Sequence, residues 1–95
     1  MREVYLKGSE FQSVKEIHEF LAEKLELPPY YGGNLDALYD VLTELCQDTR
    51  ILLNLAGVED EGMAAYFRRL GRVLEDAADV SAYLQVELKK EDDSD

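Results

Sequence analysis

The 95-residue chain contains no tryptophan, one cysteine, one histidine and two prolines, and each scarcity removes a class of chemistry. Cys46 is alone, so a disulfide-stapled scaffold is excluded and a reducing cytoplasm is the expected setting. With His18 and Cys46 as the only residues of their kinds, no thiolate–imidazole zinc site can be assembled, and neither the phosphate-loop nor the dinucleotide-binding glycine pattern occurs. No metal and no cofactor are expected. Long apolar runs are missing too. The opening MREVYLKG holds only short apolar pieces, so neither a signal peptide nor a membrane span is expected. Basic side chains are scarce, 10 against 21 acidic ones, for a formal charge of -11. Such a field repels nucleic acid and anionic membranes and suits a cationic protein partner.

What remains is ordinary folding material, 46% hydrophobic against 33% charged, which is too apolar for a disordered chain. We expect one domain over residues 1–88 and a disordered charged tail, KKEDDSD, over 89–95. Val4, Tyr5 and Leu6 form a β-prone segment ending at Gly8. Ser13 and Glu16 have capping-box spacing, and Val14, Ile17, Leu21 and Leu25 then recur at three and four, predicting an amphipathic helix that Pro28 ends. A second helix is predicted from Leu35 to about Cys46, with Leu35, Leu38, Leu42 and Leu45 on one side and Asp36, Asp40 and Glu44 on the other. The nearly continuous apolar run at 51–55, ILLNL, reads as a buried parallel strand. After a loop at 56–62, the positions Met63, Tyr66, Phe67, Leu70, Val73, Leu74 and Ala77 outline a long helix. Arg68, Arg69 and Arg72 beside that stripe read as an ion-paired solvated face, with Arg72 to Asp76 as one pair. Leu84, Val86 and Leu88 alternate with Tyr83, Gln85 and Glu87 as in a half-buried third strand. The order β, α, α, β, α, β predicts an α/β fold: a small three-stranded parallel sheet flanked by helices, with right-handed crossovers.

The stretch that scaffold serves is residues 28–40, PPYYGGNLDALYD. Its prolines and glycines keep Tyr30 and Tyr31 out of a helix and at the surface, and Asn34 is a good N-cap for a helix beginning at Leu35. Asp36 gains from the helix dipole, so its presence has an adequate structural reason. Asp40 stands one turn further in and repels Asp36, at a cost of about 0.2–0.5 kcal/mol with no basic residue at helical spacing to offset it. A face that keeps such a conflict fits use by a partner. Tyr30, Tyr31 and Tyr39 interleaved with Asp36 and Asp40 suit a cationic groove, since carboxylates can take the sites arginine and lysine offer to phosphate. Catalysis by the two aspartates is disfavoured, because nothing in a solvated helix face separates their proton affinities. A divalent-cation site wants more oxygen ligands. His18, on the rim of the first helix's apolar stripe, is read as a packed or half-exposed structural residue. Glu75, Asp76 and Asp79 crowd the end of the third helix, where the dipole disfavours them, and are open to two readings: pairing with Arg72, or a second acidic contact.

Residues 30–40, YYGGNLDALYD, closely resemble the signature of the barstar family, intracellular inhibitors of the secreted guanyl-specific ribonuclease barnase, and element order agrees over about residues 3–88. The resemblance implies a barstar-like fold, no enzymatic activity, and a partner-binding surface made of Tyr30, Gly32, Asn34, Asp36 and Asp40, with Asp40 entering the phosphate pocket. Asp76 falls where the family has another acidic contact, and Tyr39 completes the expected surface. The implied partner is a cationic ribonuclease of extracellular type, bound by a cytoplasmic monomer. The family archetype carries tryptophan at the positions of Tyr39 and Leu45, glutamate at that of Gly33 and a longer acid at that of Asp76, so a different microbial ribonuclease or a toxin with another basic cleft is the alternative target. From another class, the alternative is an acidic protein-interaction module without a nuclease target.

Overall fold

A computed structural model describes residues 1–89 as three strands and three helices: β1 (Arg2–Lys7), α1 (Val14–Lys24), α2 (Leu35–Thr43), β2 (Thr49–Asn54), α3 (Glu61–Val80) and β3 (Leu84–Lys89). All strands are parallel, in the order β1-β2-β3, with Val4 opposite Ile51 and Ile51 opposite Val86. This is the α/β fold expected. Of the expected charged tail, Lys89 is the last residue of β3 and the remainder lies outside the described residues.

Strand order follows chain order, so right-handed crossovers put every helix on the same side of the sheet. Burial agrees. Val4, Leu6, Ile51, Leu53 and Leu84 are buried under the helices, whereas Glu3, Tyr5, Lys7, Arg50, Gln85 and Glu87 alternate with them and are exposed. Helices therefore cover one face only, and the ILLNL run corrects the expectation of a strand buried on both faces: Arg50 is exposed and Leu52 half-buried. The open face is kept wet by polar groups rather than left greasy. Arg50 reaches Glu87 on β3 at 3.2 Å and Glu3 on β1 at 3.9 Å, and Asn54 donates from Nδ2 to the Tyr5 hydroxyl at 3.1 Å. Such exposed pairs contribute little stability each, but a charge on every strand disfavours pairing with another sheet face.

The core lies between the sheet and the helices. Ile17, Leu21, Leu38, Leu42, Phe67, Leu70 and Leu74 are fully buried from the helix side, and Phe11 bridges Phe20 and Phe67 at ring distances of 5.3 and 6.5 Å. No helix among the described residues is long and apolar enough to cross a membrane.

Helix α1 starts as its sequence dictates, with the Ser13 hydroxyl accepting from the Glu16 N–H at 3.2 Å; the Glu16 carboxylate reaches back one residue further than a capping box requires, to the Gln12 N–H at 2.7 Å. It stops sooner than Pro28 would impose. Glu26 has φ +53, and the Leu27 N–H bonds to Ala22 O while the Glu26 N–H bonds to Glu23 O, a Schellman stop built on a left-handed residue. Glutamate is strained there and glycine is not, and in its 3.8 Å pair with the largely buried Arg2 the carboxylate itself is exposed, while the Arg2 guanidinium keeps its hydrogen bond to Leu25 O. Glu26→Gly is expected to stabilise the fold by about 0.5–1 kcal/mol, the relief of strain exceeding the extra freedom of the unfolded chain. Urea unfolding of the variant measures this, and a fall in midpoint would show that the Arg2 contact outweighs the strain.

Candidate partner-binding site

Loop and helix are joined by the cap the sequence promised. Asn34 has extended backbone and its Oδ1 accepts from the Ala37 N–H at 2.8 Å, while the Leu38 N–H bonds to Asn34 O at 2.9 Å. Just before it, Gly33 has φ +70, a turn in which a Cβ would meet no neighbour but the backbone itself favours glycine. The Tyr31 N–H closes back on Pro28 O at 3.0 Å, making the loop a turn with its own hydrogen bond.

One continuous segment thus presents Tyr30, Gly32, Asn34, Asp36 and Asp40 to solvent. Tyr30 is 85% exposed, the most exposed large hydrophobic side chain among the described residues. Leu38 and Leu42 on the opposite side of α2 are fully buried, so the helix cannot rotate its acidic face away. Neither Asp36 nor Asp40 has a basic side chain within 4 Å among the described residues, where the ion pairs are those of Arg2 and Arg50. The two carboxylates stand unneutralised in a chain that is already strongly anionic.

Tyr39 is half-buried and packs against the core with only part of its ring outward. Asp76 is exposed, but on α3, the helix packed against α2, and so belongs to a separate element. The expected Arg72–Asp76 pair is absent, since no cation–carboxylate distance within 4 Å joins them. Arg69 instead lies over the Tyr66 ring at 5.3 Å, and Arg68 and Arg72 extend into water. Exposed helical arginines keep their hydration and rotamer freedom, which a surface pair does not repay.

Tyr31 corrects the reading that placed both loop tyrosines at the surface. It is half-buried, and its hydroxyl lies 2.5 Å from His18 Nδ1, while His18 Nε2 lies 2.5 Å from the Tyr66 hydroxyl on α3. His18 is 4% exposed, and burial lowers its proton affinity. Burial, reinforced by the neighbouring Tyr66, pushes Tyr31 up to about 12; Tyr66 is raised by burial and partly brought back by Arg69. His18 is packed, as its place on the rim of the apolar stripe implies, but its partners are not written in the local sequence: Tyr66 is 48 positions away.

Residues 1–91 match the family described as Barstar (barnase inhibitor). A relative, "Putative ribonuclease inhibitor YrdF" of Bacillus subtilis (strain 168), is 36% identical over 91 residues, covering 96% of this chain and 93% of that protein. With three parallel strands in chain order beneath helices, and a match that runs through the loop and α2, the chain belongs to the barstar family, whose description is that of an enzyme inhibitor and not of an enzyme.

Proposed function

We propose that this protein inhibits a ribonuclease of the barnase type by inserting the segment from Tyr30 to Asp40 into the enzyme's cationic active site. The observation that carries the reading is the pair Asp36 and Asp40, fixed outward on α2 without any neutralising side chain among the described residues. A nuclease that binds RNA must offer arginine, lysine or histidine where phosphates lie, and a carboxylate on a rigid helix can accept the same charge-assisted hydrogen bonds. Tyr30, exposed on a turn closed by its own hydrogen bond, supplies apolar area to a base-sized recess at little entropic cost. Gly32 lets backbone approach closely, Asn34 holds the segment's geometry, Tyr39 packs beneath it and Asp76 adds a peripheral carboxylate. Support comes from the family match and from the name of the Bacillus relative.

The protein acts as a monomer, without cofactor, in the cytoplasm of the cell that makes the nuclease. Titrating barnase with the purified chain while following RNA cleavage tests the assignment. Activity is expected to fall linearly to zero at one equivalent, and full activity at tenfold excess would move the target to another toxin with a basic cleft.

A further inference from the structure

The longest stretch of this acidic chain without a carboxylate is residues 62–74, GMAAYFRRLGRVL, and it carries Arg68, Arg69 and Arg72 on α3. All three are exposed, and none has a carboxylate within 4 Å among the described residues, where the ion pairs are those of Arg2 and Arg50. Glu75 and Asp76 stand three and four positions past Arg72, at helical pairing distance, and still make no pair with it. Arg68 and Arg72, four apart, repel each other as Asp36 and Asp40 do on α2. Folding gains nothing from like charges stacked and left unpaired, so the stripe has the mark of a surface kept for another molecule.

Its place on α3 identifies that molecule. At roughly 100° per residue, Arg69 and Asp76 share one flank of the helix, with Arg72 between them toward the crest and Arg68 beyond it. The flank of Arg69 is that of Tyr66, whose ring it covers at 5.3 Å and which reaches toward α1 and the loop. The opposite flank is that of Gly71, which lies against Leu88 of β3. Arg69 and Arg72 therefore border the surface from Tyr30 to Asp40 rather than the edge of the sheet, on a helix packed against α2. A stable interface takes about 800 Å² from each partner and neighbouring helices lie about 8–10 Å apart, so a body seated on α2 also reaches the crest of α3. We propose that Arg69 and Arg72, with Arg68 adding to their field, form a second contact surface that pairs with carboxylates beside the cationic cleft of the target ribonuclease. The inference rests on the inhibitor reading above and narrows the partner. Its charge must change sign, from cation opposite Asp36 and Asp40 to anion opposite Arg69 and Arg72. An enzyme that is positive across its whole face would set cations against these arginines and be rejected, so the stripe discriminates among basic nucleases as well as attracting the right one. Each guanidinium fork can donate two parallel hydrogen bonds to a carboxylate, and Arg69, stacked on Tyr66, has fewer orientations to lose on pairing.

Removing a positive charge gives opposite results under two accounts. If net charge alone governs, each lost arginine makes the inhibitor more negative and tightens its hold on a cationic enzyme. If Arg69 and Arg72 pair with carboxylates, each loss weakens it. Association and dissociation rates with barnase, measured by stopped flow at about 0.15 M ionic strength, give the dissociation constants of the wild-type protein and its variants. Arg69→Gln and Arg72→Gln are each expected to raise the constant about fivefold, mainly through faster dissociation, and Arg72→Glu about fiftyfold, because it sets like charges together. Arg72→Lys keeps the charge without the fork and should fall between wild type and Arg72→Gln. Arg50→Gln removes the same charge from the bare side of the sheet, and is expected to bind as tightly as wild type or up to about twofold tighter. All these side chains are exposed, and urea midpoints of the variants check that each one folds. Unchanged or tighter binding in both Arg69→Gln and Arg72→Gln, with the wild-type protein binding barnase, would overturn the proposal and leave the inhibitor reading standing. A wild-type protein that does not bind barnase would overturn that reading and this proposal with it.

Discussion

Asp40→Ala is expected to raise the dissociation constant for the target ribonuclease by at least a hundredfold while leaving the fold as stable as before. Breaking a desolvated ion pair from one side leaves the other charge buried and unpaired, a loss of about 3–5 kcal/mol, and tenfold in affinity is about 1.4 kcal/mol. The free protein gives up nothing comparable. Asp40 is exposed, has no ion-pair partner among the described residues and repels Asp36 one turn away, so its removal relieves about 0.2–0.5 kcal/mol. Titration calorimetry against the nuclease and urea melts of the variant give the two halves separately. Unchanged affinity with a lower melting midpoint would assign Asp40 to the scaffold.

Salt should act on a different rate constant. With a charge of -11 against a cationic enzyme, association is expected to exceed the ordinary range of about 10⁵–10⁷ M⁻¹s⁻¹ at low ionic strength and to fall at least tenfold as the screening length shrinks from about 30 Å to about 3 Å. Dissociation breaks short contacts from which water and ions are already excluded, so it should move by no more than about twofold. Neutralising Glu91, Asp92, Asp93 and Asp95 should lower association modestly and leave dissociation alone. Stopped-flow mixing across the salt range decides the matter, and an association rate indifferent to salt would remove steering from the account.

The parts of this molecule written in local rules were legible from sequence, and those written in long-range packing were not. Asn34 announces its cap because the hydrogen bond it makes spans only three residues, and the alternation of Leu84, Val86 and Leu88 reports a face directly. The acidic and apolar sides of α2 followed from helical period. Residues 51–53 are apolar whichever side is covered, and only the strand order, which places every helix on one side, leaves Leu52 half-exposed. Proline is the loudest stop signal near α1, yet Glu26 ends the helix first by adopting a conformation its side chain disfavours. At the site, the identities of the exposed residues were readable, whereas the inward turn of Tyr31 depends on His18 and Tyr66 meeting across the fold.

The bare side of the sheet has an electrical meaning. There Glu3 and Glu87 are balanced by Lys7, Arg50 and Lys89, so that side is close to neutral and the protein's surplus negative charge resides elsewhere, much of it on helices and their loops. A body charged so unevenly has a dipole moment as well as a net charge. In the field of a cationic partner it experiences a torque before it experiences a contact, and the helical side is turned to the front. Fewer rotational searches are then wasted on the sheet side, and the orientation arises from where the charges are absent as much as from where they are.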